Sequence, residues 1–104
     1  MIVVTSETIA NKKIVRTLGL VRGNTVRARP IGKDIMAGLR NIVGGEVHEY
    51  AKLIGESREQ SLDRMVAEAE SLGANAIIAT RFTTSVMMGG AAELLAIGTN
   101  CLLR

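Results

Sequence analysis

Two segments near the end of the chain decide its fold: ANAIIATRFTTSV at residues 74–86 and ELLAIGTNCLL at residues 93–103. Both are predicted to be β-strands, and both carry apolar residues at odd and at even positions. A strand with one face in water alternates apolar and polar residues, so this pattern predicts a sheet that is covered on both faces. The rest of the chain contains enough predicted helix to cover one face. We therefore expect the other face to pack against a second copy of the chain.

Length and composition favour one small domain that assembles with itself. The chain has 104 residues, of which 47% are hydrophobic, and its aromatic residues are Tyr50 and Phe82. A single domain of residues 1–104 buries only a modest share of its surface in its own core, which favours burial against copies of itself. No apolar run approaches the roughly 18 residues that cross a bilayer, and the apolar start at residues 2–4 is too short for a signal peptide. One cysteine fits a reducing compartment. We expect a cytoplasmic protein with no membrane partner.

Charge is unevenly distributed along the chain. Residues 1–43 hold eight basic and two acidic side chains, a net charge of +6, whereas residues 44–104 hold five basic and eight acidic ones, a net charge of −3. A basic surface can bind an anion or nucleic acid, or it can meet the acidic part of a neighbouring subunit. Few aromatic residues are present to stack on bases, and no basic run is longer than Lys12-Lys13. Weak electrostatic binding of nucleic acid is therefore the less favoured interpretation.

The remaining sequence predicts two strands and two helices. Strands are predicted at residues 2–5 and 14–29, with a bulge or turn at Gly23-Asn24. A short helix is predicted from Asp34 to Val43, and a long helix is predicted to start near Glu46 and to end at Gly73. The inner stripe of the long helix is predicted to contain Tyr50, Leu53, Ile54, Ser57, Ser61, Leu62, Met65, Val66, Ala69 and Leu72. The predicted fold class is α+β, with an antiparallel sheet in one layer and one short and one long helix in the other.

The glycine pair ahead of the long helix is a candidate anion site. Gly44-Gly45 presents backbone N–H donors at a helix start, and Arg40 lies one helical turn upstream. However, Glu46 would repel a phosphate, and the chain contains no Walker or Gly-x-Gly-x-x-Gly motif. A hinge between two helices is the structural alternative. No Gly-x-Ser-x-Gly motif is present either, so the sequence gives no reason to expect an enzyme.

Arg64 and Arg81 lie on predicted apolar elements. An arginine in such a place needs a partner, because an unpaired buried charge costs several kcal/mol. The partner is either an acidic residue, in an ion pair, or a bound ligand, and the sequence leaves both open.

Three side chains are candidate metal ligands: His48, Cys101 and Met88. A closed transition-metal site usually needs about three or four converging ligands, and this chain has one cysteine, one histidine and no Cys-x-x-Cys. Each candidate also has a structural interpretation. Cys101 would be a small buried residue, His48 a solvated or capping residue, and Met88 a cover for an apolar surface. In a ring, one ligand from each subunit would be repeated around an axis, so self-assembly leaves a metal site open.

Several short segments spread along the chain form a specific combination. They are GLVRG at 19–23, RNIVGGE at 40–46, Tyr50, Arg64-Met65, LGANAI at 72–77, Arg81-Phe82 and ELLAIGT at 93–99. Together they resemble the YbjQ-like proteins over nearly the whole chain. The resemblance implies a dodecin/YbjQ-like subunit assembled into a ring, most simply a pentamer, and a heavy-metal-binding label with no assigned reaction. Its motifs contain all the residues that we consider as ligand-binding candidates: Arg40, Asn41, Gly44, Gly45, Glu46, Arg64 and Arg81.

Overall fold

The structure, a computed structural model, describes residues 1–27, 45–86 and 92–104, without the side chains of residues 27, 45–51, 53 and 86. Its elements are β1 (Ile2–Val3), β2 (Ile14–Arg27), α1 (Gly45–Ser71), β3 (Ala76–Val86) and β4 (Ala92–Leu103). The predicted α+β class is confirmed, and the long helix and the two decisive strands lie where the sequence placed them. The short helix predicted at residues 34–43 lies outside the described residues.

The four strands form one sheet in the order β1-β3-β4-β2. Strand β4 lies between β3 and β2 and pairs antiparallel with both. The prediction of a wholly antiparallel sheet is wrong in one detail, because β1 pairs parallel with β3 through Ile2 opposite Ala76. Parallel neighbours need a long connection, and here the connection contains β2 and α1.

The helix forms the second layer and packs mainly on β2 and β4, with little contact to β3. Ser57, Ser61, Met65 and Ala69 are buried at the spacing of one helical face. The core cluster consists of Val21, Met65, Ala69, Ala74, Ile77 and Ala96. The predicted inner stripe is thus correct for its centre, but Leu72 at its end is 52% exposed.

A Schellman motif ends the helix, which explains why Leu72 turns outward. Gly73 has a φ of 85°, a left-handed conformation that glycine adopts without strain. The Gly73 amide donates to the Glu70 carbonyl at 3.0 Å, and the Ala74 amide donates to the Ala69 carbonyl at 3.0 Å. The chain therefore leaves the helix at Leu72 and returns to the core at Ala74, as the predicted helix end at Gly73 required.

Gly23 has a different role from the predicted bulge or turn. Strand β2 runs through Gly23 without interruption, and Gly23 pairs with Ala96 in regular register. A Cβ atom at this position would overlap the Ser61 carbonyl oxygen and the Met65 amide nitrogen of the helix. The glycine is therefore needed because the helix backbone lies directly on the strand, and not because the chain bends.

The irregularities of the sheet lie elsewhere, in the two strands that flank β4. Strand β2 has register shifts between Ile14 and Arg16 and between Thr17 and Gly19. Strand β3 has one between Ile78 and Arg81, and Ala79 within it has a φ of 52°. An extra residue in one strand moves every later side chain to the opposite face. This shift places Arg81 opposite Ile97.

Candidate functional site

At one end of the face opposite the helix, Ala76 and Cys101 are buried, and no described helix or strand covers the rest of that face. We call it the open face. It consists of Leu20, Arg22, Asn24 and Val26 from β2, Glu93, Leu95, Ile97 and Thr99 from β4, and Ile78, Arg81, Thr83 and Ser85 from β3. Leu20 is 62% and Val26 51% exposed, while Leu95 and Ile97 are half-buried. The apolar residues on one face of the decisive strands thus pack against the helix, and those on the other face form part of an open surface.

Two arginines lie in one row across the open face. Arg22 in β2 and Arg81 in β3 are both register partners of Ile97 in the central strand. Both side chains are exposed. The sequence did not reveal this row, because the strand pairing that creates it depends on the register shift at Ala79.

The guanidinium of Arg81 is already engaged with the backbone. Its Nη1 donates to the carbonyl oxygens of Thr5 and Thr80, both at 2.8 Å. The residue therefore holds the segment that follows β1 against β3. Arg81 was a ligand-binding candidate, and its described contacts give it a structural role.

Arg64 lies far from Arg81 in the fold. It projects from α1, and its Nη1 donates to the Asn24 carbonyl oxygen at 2.6 Å. This bond joins the helix to β2, two strands away from β3. The structure thus does not bring these two candidate arginines together.

Of the other candidates for an anion site, two lie within the described residues. Gly45 and Glu46 form the start of α1, as predicted, and their side-chain environment is not described. Arg40, Asn41 and Gly44 lie outside the described residues. The proposed anion cradle at the glycine pair stays a prediction.

Of the three candidate metal ligands, Cys101 is the one whose side chain is described. Within the described residues, no three His, Cys, Asp or Glu side chains form a group that could hold a metal ion. His48 lies in the first turn of α1, with its side chain outside the description, and Met88 is outside it entirely. Cys101 is fully buried, and burial raises the pKa of its thiol above the ordinary value of 9.0. Metals bind the thiolate, so the described residues of a single chain do not fit a heavy-metal site.

The buried thiol leads to a pH-dependent prediction. In the folded protein the Cys101 thiol keeps its proton to a higher pH than in the unfolded chain, where it ionises near 9.0. This contribution to stability is present below that pH and is lost as the pH rises through the folded-state pKa. We expect the difference in unfolding free energy between wild type and Cys101→Ala to be constant well below pH 9.0 and to decline as the pH rises above it. Urea unfolding at each pH measures it. A difference that grows with pH would show that the thiolate is stabilised in the folded state, as a metal ligand would be.

One stretch of sheet edge has no described partner strand. The segment after β1 follows β3 only as far as Thr80, whose amide donates to the Val4 carbonyl at 3.0 Å, and Ala79, whose amide donates to the Ser6 carbonyl at 2.8 Å. Beyond it, residues 81–85 are exposed, and Phe82 is 44% exposed. We call residues 82–86 of β3 the free edge. A sheet edge with unpaired backbone groups is a template for pairing with another chain.

Relatives of known sequence identify the family. The YbjQ family, described as "Putative heavy-metal-binding", matches residues 1–104. The chain belongs to this family. A UPF0145 protein of Methanosarcina acetivorans is 54% identical over 99 residues, which is 95% of this chain and 93% of that one. A UPF0145 protein of Archaeoglobus fulgidus is 53% identical over 104 residues, covering 100% of this chain and 96% of that one.

A solved structure confirms the fold of this YbjQ family member. The crystal structure of a DUF74 family protein from Pediococcus pentosaceus matches it with a TM-score of 0.71. The match covers 100% of this chain and 98% of that one at 16% sequence identity, so it shows the shared architecture and nothing of the function. Within the described residues of this family member, no helix combines the length and hydropathy that a membrane span needs.

Proposed function

We propose that this member of the YbjQ family works as a cytoplasmic homo-oligomer, a closed ring of subunits, that binds a small ligand or a metal ion between its subunits. The observation that carries this proposal is the open face. It presents four large aliphatic residues, Leu20, Val26, Leu95 and Ile97, on one side of a sheet whose other side is packed against α1. Exposed aliphatic side chains on an uncovered sheet face favour an interaction site. A second copy of the chain is the partner that is always present.

The free edge supports a head-to-tail contact. The two edges of the sheet differ. One edge is β2, and the other consists of β1 and the free edge of β3. A contact between unlike surfaces is heterologous, and heterologous contacts close into rings when the rotation per subunit permits. The resemblance to YbjQ-like proteins favours five subunits.

The arginine row bears on the ligand. If a neighbouring subunit covers the open face, Arg22 loses its water, and a desolvated guanidinium needs an anionic partner. That partner is an acidic residue of the neighbouring subunit or an anionic ligand. A metal ion would need ligands from several subunits, because the described residues of one chain supply no cluster of three.

Native mass spectrometry of protein purified without a metal-affinity resin tests the proposal. We expect a single assembly of about five times the 11.1 kDa subunit mass, together with a mass increment for a retained ligand or ion. Elemental analysis of the same sample distinguishes a metal from an organic ligand. An assembly without any increment, which also fails to take up added copper, zinc or small anions, would leave a purely structural module. A compact monomer at micromolar concentration would refute the oligomer.

A further inference from the structure

Four basic residues lie together at one end of the sheet, where β2 begins and β4 ends. They are Lys12, Lys13, Arg16 and Arg104, and all four are exposed. We call them the basic patch. In the sequence they form no run longer than Lys12-Lys13, and Arg104 lies at the far end of the chain. The patch is therefore a product of strand pairing and not of a basic segment.

Backbone hydrogen bonds bring Lys13 and Arg104 side by side. The Arg104 amide donates to the Lys13 carbonyl at 2.9 Å, and the Lys13 amide donates to the Arg104 carbonyl at 3.3 Å. Two residues that exchange both bonds in an antiparallel pair have Cα atoms about 5.5 Å apart, and their side chains lie on the same face. These two cations are thus immediate neighbours across the strand pair.

A register shift in β2 adds Arg16 to the same face. The shift lies between Ile14 and Arg16, and it makes Arg16 the partner of Leu102. Leu102 and Arg104 are two residues apart along one chain, so they share a face of the sheet. Without the extra residue in β2, the side chain of Arg16 would lie on the opposite face. The shift therefore places three cations, from Lys13, Arg16 and Arg104, on one side.

No carboxylate neutralises the basic patch in the described part of the chain. None of the four side chains has an ion-pair or hydrogen-bond partner there. Residues 1–27 contain five basic side chains and one acidic side chain, Glu7. Clustered charges of one sign create a potential that attracts ions of the opposite sign. The expected partner is therefore a polyanion.

We propose that the basic patch binds the phosphate backbone of duplex nucleic acid. An arginine guanidinium matches the geometry of a phosphate with two parallel N–H donors, and a lysine adds a point charge. Proteins that bind single strands also stack bases on aromatic side chains, but the aromatic residues of this chain, Tyr50 and Phe82, do not belong to the patch. Contacts to phosphate alone suit a duplex, whose bases are already stacked. The patch forms within one chain, so this proposal does not depend on the proposed ring.

Fluorescence anisotropy with a fluorescein-labelled DNA duplex of mixed sequence tests the proposal. We expect the logarithm of the association constant to fall linearly with the logarithm of the KCl concentration, with a slope of about −0.9 for each phosphate contact. The double variant Lys13→Gln/Arg16→Gln removes two contacts, so the slope should become shallower by about 1.8 for each patch on the duplex. A slope that does not change, or a wild-type protein that does not bind at low salt, refutes the proposal.

Lys52→Gln/Arg58→Gln is a control with the same change of net charge. It removes one lysine and one arginine from exposed positions of α1, and we expect the wild-type slope. If both double variants lose the same slope, overall charge and not the patch attracts the duplex, and the proposal is overturned. Circular dichroism should show that both variants are folded, because surface substitutions have small effects on stability.

Vesicles that contain phosphatidylserine distinguish nucleic acid from another anionic partner, a membrane surface. Basic residues are also attracted to anionic lipid, although stable attachment usually requires an inserted apolar group as well. In a sedimentation assay at a salt concentration where the duplex is bound, we expect the wild-type protein to stay in the supernatant. Binding to the vesicles that is as tight as binding to the duplex would overturn the proposal.

Discussion

Gly23→Ala is expected to lower the free energy of unfolding by about 3 kcal/mol or more, a large fraction of the stability of a small domain. The added Cβ would overlap the Ser61 carbonyl oxygen and the Met65 amide nitrogen, and it would lie 3.0 Å from the Arg64 carbonyl carbon. All three are backbone atoms of α1, so no side-chain rotation can relieve the overlap. The helix would have to move away from β2, which would open the core at Val21 and Met65. Urea denaturation followed by circular dichroism measures the loss.

Gly55→Ala is the matched control for this substitution. Gly55 lies inside α1, and among the described residues no heavy atom outside the helix backbone would lie within 4 Å of a Cβ there. Alanine is favoured over glycine in a helix interior, so this variant should gain about 0.5–1 kcal/mol. Opposite signs for the two glycines would establish that close contact, and not backbone flexibility, requires Gly23. If Gly23→Ala is as stable as wild type, the close approach of helix and strand is wrong.

If the proposed homo-oligomer assembles through the open face, Leu20→Glu is expected to convert it into folded monomers at micromolar concentration. Leu20 is 62% exposed on the open face. If a neighbouring copy covers it, the substitution loses about 1.5–3 kcal/mol of apolar burial at every contact and adds an unpaired carboxylate at a cost of several kcal/mol. In a ring each subunit makes the contact, so the loss is repeated. Sedimentation velocity reports the change in mass, and circular dichroism reports whether the fold is intact.

Leu72→Glu is the control for the assembly experiment. Leu72 is also a leucine with comparable exposure, 52%, but it lies at the end of α1 and not on the open face. The Leu72→Glu variant should therefore assemble as the wild type does. If Leu72→Glu dissociates and Leu20→Glu stays assembled, the interface lies at the end of the helix and not on the open face. If both variants stay assembled, the open face makes no essential contact.

The fold could be predicted to the extent that local patterns carry it. The spacing of Ser57, Ser61, Met65 and Ala69 defines one helical face, and these residues are buried as a group. Gly73 ends the helix with the hydrogen bonds expected of a left-handed glycine. The parallel pairing of β1 could not be predicted, because Ile2 and Ala76 are far apart in sequence and no turn constrains them.

The candidate site was predicted less well than the fold. Arg64 and Arg81 were singled out together, but they bond to backbone carbonyls at separate places in the structure. The arginine partner of Ile97 on the other side, Arg22, was not singled out. Neither were Thr80 and Asn100, whose buried side-chain atoms have no hydrogen-bond partner among the described residues, since a sequence does not show which buried polar groups are paired. A site made by strand pairing depends on register, and register is a property of several strands at once.

The sequence by itself determined that a helix of about seven turns would lie on one side of a sheet and that the last two strands would carry apolar residues on both sides. Those features follow the side-chain period of a single helix or strand, so they can be recognised without knowing which elements pack against it. Only the tertiary structure decided that Gly23 meets the helix backbone, that Ala79 shifts the register of β3, and that Leu20 and Ile97 share the open face. Each of these depends on which residues of different elements come into contact, and a glycine or an alanine permits several such contacts without specifying one.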